Sequence, residues 1–126
     1  MEALNDVFRF LQRFAEAERL SPDVAYAIVL SVEEFFTNIV KYGTHESPGI
    51  VLQAVRTGHV VTVCIEEKTS VPFDVTRPTD TQFNIPAMKR KPGGLGVHIA
   101  REVLDGLQFE YVDGVSRITM VKHLET

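Results

Sequence analysis

The chain has 126 residues, of which 44% are hydrophobic and 24% charged, and its formal net charge is −4. This size and mixture are typical of one soluble globular domain that buries its own core. The acidic balance argues against a nucleic-acid binder, for which a basic face is expected. The single cysteine, Cys64, excludes an intrachain disulfide, and no apolar run reaches the roughly 18 residues of a membrane span. Without a basic region and apolar core at the N-terminus, we expect a cytoplasmic protein with no membrane partner.

The first third of the chain predicts two helices. Apolar residues recur at helical spacing between residues 3 and 19, which indicates an amphipathic helix. Ser21-Pro22-Asp23 predicts a second helix start, because Ser caps free N–H groups, Pro suits the first helical position and Asp favours the positive end. We expect this helix to run to about Tyr42, where Gly43 is a C-terminal stop.

Two β-hairpins are predicted farther along the chain. The β-rich runs 50–56 and 60–66 flank Thr57-Gly58-His59, which is typical of a hairpin turn. The runs 107–112 and 115–124 are joined by Asp113-Gly114, a strong signal for a two-residue turn.

A long irregular segment and a third helix lie between the hairpins. Residues 68–93 contain four prolines and no periodicity, which is typical of a functional lid or a disordered segment. A helix begins at the following glycines and ends at Gly106. The order α-α-β-β-loop-α-β-β predicts an α/β (α+β) two-layer sandwich, with helices on one face of a mixed, mostly antiparallel sheet. We expect one domain spanning residues 1–126.

One stretch of the second helix combines a polar line with an apolar side. At 100° per residue, Glu34 and Asn38 lie about 40° apart around the helix axis, with Ser31 and Lys41 flanking them. A polar line on a largely buried helix costs free energy unless it faces a partner or a cavity. Alone, Glu34 is also consistent with a solvated helix charge. The paired residues make this line the first candidate for a functional site.

A glycine-rich run separates the long segment from the third helix. Glycines let a backbone approach a ligand, and free N–H groups at a helix start favour an anion. Taken alone, Lys91-Pro-Gly-Gly-Leu-Gly96 is equally typical of a flexible hinge. Together with Glu34, Asn38 and the basic Lys89-Arg90-Lys91, it supplies a base, an oxygen ligand for a hard cation, positive charge and a phosphate cradle.

These motifs resemble those of the anti-sigma-factor serine/threonine kinases, the anti-sigma regulatory factors of the GHKL (histidine-kinase-like ATPase) superfamily. Glu34-Phe-Phe-Thr-Asn38 matches the family's N box, and 92–101 matches its second glycine box. The closing hairpin, from Phe109 to Leu124, is also similar. The resemblance implies a single histidine-kinase-like ATPase domain of the Bergerat type, which agrees with the predicted layer order.

The resemblance also implies an activity and its residues. The chain would bind ATP and Mg²⁺ and phosphorylate a serine or threonine of a protein antagonist. Asn38 would coordinate Mg²⁺, Glu34 would act as the catalytic base or position the attacking hydroxyl, and Thr119 would lie near the adenine. The other implied cofactor-binding residues are Lys41, Phe73, Gly93, Gly94, Leu95 and Gly96. The implied partners are a sigma factor, a STAS-type anti-sigma antagonist, or both, bound by a homodimer without direct nucleic-acid contact.

The sequence departs from the family at its first glycine box, Asp-x-Gly followed by an apolar residue and Phe-Asp. Phe73-Asp74 aligns, but counting back without a gap places Lys68 at the Asp position, whereas a one-residue insertion places Glu67 there. Because that Asp accepts the adenine amino hydrogen bond, losing it costs about 1–3 kcal/mol. A second hypothesis is therefore a binding module of the same fold that docks its partners without nucleotide. The altered box favours the module, and the Glu34/Asn38 pair favours the kinase.

Overall fold

The computed structural model describes residues 2–42, 50–68 and 94–124. The elements in chain order are α1 (Glu2–Ala17), α2 (Pro22–Tyr42), β1 (Ile50–Thr57), β2 (Val60–Lys68), α3 (Gly94–Val103), β3 (Gly106–Val112) and β4 (Val115–His123). The three predicted helices and two predicted hairpins are confirmed, and β2 extends two residues beyond its predicted end. The third helix ends at Val103 rather than at Gly106, which is the first residue of β3. The predicted stop at Gly43 and most of the irregular segment lie outside the described residues.

The start of α2 forms as its sequence predicts. Pro22 is the first helical residue, and the backbone N–H of Val24 donates to the Ser21 hydroxyl at 3.3 Å. This bond satisfies one of the N–H groups that a helix leaves unpaired at its first turn. Arg19, in the short turn between α1 and α2, has a φ of 54°, a left-handed conformation that non-glycine residues adopt infrequently.

The four strands form one sheet in the order β1-β2-β4-β3. All three neighbouring pairs are antiparallel, so the described sheet is wholly antiparallel rather than mixed. The turn between β3 and β4 has positive φ at both Asp113 (52°) and Gly114 (78°), as a two-residue turn with the twist of the flanking strands requires. The hairpins join through β2 and β4, where Ile65 pairs with Ile118.

One face of the sheet carries the core and packs against the helices. Alternate residues of β2 and β4 are almost completely buried, because successive side chains of a strand point to opposite faces. The buried apolar residues come from the helices and from this face: Leu11, Val24, Ile28, Val32, Phe35, Ile39, Val61, Val63, Ile65, Val97, Ala100, Leu104, Ile118 and Met120. The fold is therefore α+β with a helix layer on one sheet face, as predicted.

The opposite sheet face carries charged side chains. Arg117 Nε lies 3.3 Å from a carboxylate oxygen of Glu66, and its Nη1 lies 3.2 Å from one of Glu110. These three residues belong to β4, β2 and β3, so the ion pairs run across three neighbouring strands. None of the helices in the described part of the chain has the length and apolar character needed to cross a membrane.

Asp105 fastens the end of α3 to the last strand. The backbone N–H of His123 donates to its Oδ2 at 2.5 Å, and the Lys122 ammonium lies 3.7 Å from the same oxygen. The hydrogen bond from the His123 backbone holds the pKa of Asp105 below its usual value. Burial opposes this effect, and the charge of Lys122 makes a smaller contribution in the same direction as the hydrogen bond. The ionised carboxylate is therefore stabilised in the folded protein.

We predict that Asp105→Asn destabilises the protein by about 1 kcal/mol at pH 7, a value that allows for the partial exposure of the site. A lowered folded-state pKa stabilises the fold above the unfolded pKa of about 3.9, and that contribution is lost as the pH falls through the lower folded value. The difference from wild type in urea unfolding should therefore shrink below about pH 4. The control is Glu102→Gln, an exposed carboxylate on α3. A pH-independent difference for Asp105→Asn would contradict the prediction.

Candidate functional site

The polar line of α2 divides into Ser31, which is satisfied within the helix, and a pair of neighbouring side chains. Ser31 is completely buried, and its hydroxyl donates to the carbonyl of Ala27 at 2.7 Å. Ser31 is thus satisfied within its own helix and is not part of a site. Asn38 is 7% exposed, and its Nδ2 donates to Glu34 Oε1 at 3.5 Å, the long end of the hydrogen-bond range. Glu34 and Asn38 therefore lie side by side, as the helical spacing predicts.

The carboxylate of Glu34 rests against the first turn of α3. A Cβ atom added at Gly96 would overlap the Glu34 carboxyl group and would lie 2.8 Å from Oε1. Real Cβ contacts are essentially never this short, so a side chain at Gly96 would displace the tip of the Glu34 side chain from α3. Farther along α3, Val97 and Ala100 are buried in the core and hold the helix in place. The sequence alone did not distinguish a glycine that allows a close contact from a glycine in a flexible hinge. Gly96 allows the close contact with the Glu34 carboxylate.

A second pair of polar side chains lies on the helix-facing side of the sheet. Strand alternation places Glu67 on the same side as buried Ile65, and Glu67 pairs with Ser116, which is buried. Glu66 points to the other face, where it contacts Arg117. Lys68 is exposed and, two residues after Glu66 in the same strand, lies on the same sheet face as Glu66. Of the two alignments of the altered glycine box, only the one that uses Glu67 puts a side chain on the helix-facing side.

The direction of α2 relates this pair to Asn38. The N-terminal end of α2 lies beside Arg56 of β1 and Lys122 of β4, with which it lines one cavity. Since Arg56 and Lys122 both pair with Val61 near the start of β2, the C-terminal half of α2 runs toward the end of β2. Sequence reasoning missed Ser116. The alternation of β4 could have indicated it, because Ser116 lies on the same side of the strand as Ile118 and Met120 once these are assigned to the core.

Thr119 does not join this group. It pairs with Cys64 in the strand register, and its hydroxyl lies 3.7 Å from the Cys64 sulfur on the face opposite to the helices. Thr119 lies between Ile118 and Met120, both buried on the helix-facing side, so its own side chain must point away. Ser116, three residues earlier, has the helix-facing orientation instead, and the position of Thr119 near the adenine stays a prediction.

The remaining predicted site residues are only partly described. Gly94 and Leu95 form the start of α3, as the predicted helix entry requires. Lys41 belongs to the last turn of α2, but the position of its side chain lies outside the described structure. Phe73 and Gly93 lie outside the described residues.

The comparison with protein families identifies the class of the protein. The model of the histidine kinase-like ATPase domain matches residues 1–122, nearly the entire chain. The chain therefore belongs to the family of histidine kinase-like ATPase domains. This confirms the predicted superfamily and supports ATP binding by the domain. No curated protein matches the chain.

The described residues fit a Mg²⁺–nucleotide ligand. Asn38 directs its Nδ2 toward Glu34, which leaves the amide oxygen, a hard donor of the kind Mg²⁺ prefers, turned away from that carboxylate. No group of three or more His, Cys, Asp and Glu side chains that could hold a metal occurs among the residues that the structure describes. A single amide oxygen suits Mg²⁺, which is usually bound through few protein ligands together with phosphates and water.

We predict that Gly96→Ala weakens ATP binding at least about tenfold without lowering the melting temperature. The added methyl group displaces only the flexible tip of Glu34, and alanine favours a helix over glycine by up to about 1 kcal/mol. Isothermal titration with ATP and thermal unfolding provide the two measurements.

Gly58→Ala is the matched control for this substitution. Gly58 has a φ of 61° in the β1–β2 turn, with open space around its Cα. Its replacement should lower the melting temperature through backbone strain and leave ATP affinity unchanged. Unaltered ATP affinity in Gly96→Ala would show that the contact between Gly96 and Glu34 has no role in the site.

Proposed function

We propose that the protein is an ATP-binding anti-sigma regulatory factor that phosphorylates a serine or threonine of a protein antagonist. It acts in the cytoplasm as a homodimer, without contacting nucleic acid or membrane directly. Its partners are a sigma factor, a STAS-type anti-sigma antagonist, or both. The observation that carries the proposal is the contact between the Glu34 carboxylate and Gly96 at the start of α3, beside the buried Asn38.

The phosphate end of the nucleotide lies at the first turn of α3. The backbone N–H groups of a helix start favour an anion, and the glycines allow phosphate oxygens to approach them. Gly94 and Gly96 supply this approach, assisted by Gly93, Leu95 and the ammonium group of Lys41 as the family resemblance implies. Asn38 holds Mg²⁺, which when bound neutralises charge on the phosphates.

Glu34 acts on the attacking hydroxyl group. The hydroxyl oxygen of the partner's serine or threonine bonds to the γ-phosphorus, and the bond from phosphorus to the bridging β–γ oxygen breaks. The Glu34 carboxylate accepts the hydroxyl proton, and ADP leaves. Phosphoryl transfer depends mainly on positioning and charge neutralisation, so a carboxylate held against the phosphate-binding turn is well placed for this role.

The adenine end lies at the sheet, toward Glu67 and Ser116. A carboxylate at Glu67 accepts the adenine amino hydrogen bond in place of the missing Asp, and its extra methylene extends its reach. Support comes from strand alternation, which turns Glu67 and Ser116 toward the helices and Lys68 away from them. Phe73, which aligns with the family's Phe-Asp together with Asp74, is the remaining nucleotide-binding residue that the resemblance implies at this end.

The second candidate function is the nucleotide-independent binding module, which docks the same partners through the same fold. The specific observation in its favour is the sequence Glu66-Glu-Lys-Thr-Ser70, in which no alignment restores Asp-x-Gly. The two functions differ in whether the protein binds Mg·ATP, so nucleotide titration separates them.

We expect wild type to bind ATP saturably below millimolar concentration in the presence of Mg²⁺. Asn38→Ala should weaken binding at least about tenfold, or 1.4 kcal/mol, and should remove its dependence on Mg²⁺. Titrations with ATP and ADP, each with and without Mg²⁺, measure both effects. Asn5→Ala, on the exposed side of α1, is the control. Absence of saturable binding at millimolar nucleotide would leave only the binding module.

We expect Glu34→Gln to retain Mg·ATP binding and to lose phosphoryl transfer by about 10²–10⁴-fold, the usual contribution of a positioned base. The measurement is incorporation of phosphate from γ-labelled ATP into a STAS-type antagonist. The matched control is Glu33→Gln, which removes the same charge from the neighbouring, exposed position. Equal losses in both variants, or full activity in Glu34→Gln, would exclude Glu34 as the base.

A further inference from the structure

A cavity lies at the N-terminal end of α2, away from Asn38. Its volume is about 730 Å³, within the range of about 300–1,000 Å³ for ligand pockets. We call it the basic pocket, and its main lining residues are Arg19, Leu20, Val24, Arg56, Lys122 and Leu124. They come from the α1–α2 turn, α2, β1 and the end of β4, so the pocket forms only in the folded chain.

Two of its cations have no carboxylate partner among the described residues. Arg56 donates from Nη1 to the carbonyl of Glu18 at 2.6 Å and from Nε to the carbonyl of Gly58 at 3.0 Å. Neutral carbonyls position the guanidinium without cancelling its charge, and three of its five N–H donors remain after these bonds. Arg19 has the left-handed φ of 54° described above. No carboxylate pairs with its side chain in the described part of the chain.

The third cation is partly neutralised. The Lys122 ammonium donates to the carbonyl of Val103 at 2.6 Å and lies 3.7 Å from Asp105. Asp23, also in the lining, is the opposing charge within the pocket. A local excess of positive charge therefore remains on a chain whose net charge is −4.

The floor of the pocket is apolar. Val24 is buried and belongs to the core, and Leu20 and Leu124 are half-buried against that core. A ligand therefore meets an apolar surface bordered by fixed cations. A small anion would use only the charges, whereas a peptide with an apolar side chain beside carboxylates would use both surfaces.

We infer that the basic pocket binds an acidic peptide segment of a partner protein. One apolar side chain lies on Leu20, Val24 and Leu124, and flanking carboxylates contact Arg19 and Arg56. Charge complementarity carries the inference, because the pocket concentrates uncompensated cations around an apolar floor. Asp23 disfavours a carboxylate on its own side of the pocket and so sets the orientation of the peptide. The inference is independent of nucleotide binding and of the proposed kinase activity.

The experiment measures fluorescence anisotropy with the full chain and a labelled pentapeptide in which two glutamates flank each side of a leucine. We expect saturable binding that Arg19→Gly and Arg56→Gln each weaken about tenfold, the value of one hydrogen bond to a charged group. Arg19→Gly also relieves the left-handed backbone, so its loss of affinity will not reflect unfolding. Arg13→Gln removes an equal charge from an exposed position outside the pocket and should have no effect.

Two further peptides separate the contribution of the cations to binding from that of the apolar floor of the basic pocket. Replacing the four glutamates by glutamines should abolish binding, and replacing the leucine by serine should weaken it several-fold. Absence of saturable binding to wild type would overturn the inference. Equal binding of the glutamine peptide would overturn it as well, as would a loss in Arg13→Gln equal to that in Arg19→Gly. Full competition by inorganic phosphate with no contribution from leucine would identify a small-anion site instead.

Discussion

The rotation of α2 about its own axis is the constraint on which the rest of the structure depends. Phe35 and Val32 are completely buried, and Ile39 joins them in the core. Because successive residues turn by 100° around a helix, burying this side fixes where Glu34 and Asn38 point. They point along the edge of the core toward α3, where the Glu34 carboxylate contacts Gly96 and accepts a hydrogen bond from Asn38. The apolar packing of α2 thus determines the orientation of the chemical groups beside it.

A second constraint is the close approach of the first turn of α3 to the Glu34 side chain of α2. Gly96 provides this approach, and Val97 and Ala100 secure it by packing into the core. The close contact brings the Glu34 carboxylate to the start of α3, where backbone N–H groups favour an anion. The β2–β4 register adds Glu67 opposite Ser116, two polar side chains on the helix-facing side of the sheet near the end of β2. The candidate site therefore combines groups from two helices and two strands.

The parts of the fold with local causes could be predicted from the sequence. The cap at Ser21, the Asp113-Gly114 turn and the Glu34/Asn38 line each depend on residues close in the chain. The faces of the strands could not be predicted in the same way, since they depend on which residues the neighbouring strands bury. For this reason the sequence alone does not show that Ser116 faces the helices and that Thr119 faces the opposite side. The choice between Glu67 and Lys68 likewise needed the strand alternation, and the basic pocket needed four separate elements brought together.

The length of α2 has a consequence for any ligands of this protein. From Val24, in the basic pocket, to Asn38 the helix rises about 21 Å at 1.5 Å per residue, as one continuous element. Coupling between two binding sites is a single free energy, so it must be equal in both directions. If a peptide at one end of α2 tightens nucleotide binding tenfold, the nucleotide-loaded protein must bind that peptide tenfold more tightly. Either ligand, titrated alone and then with the other present, would therefore report the same linkage.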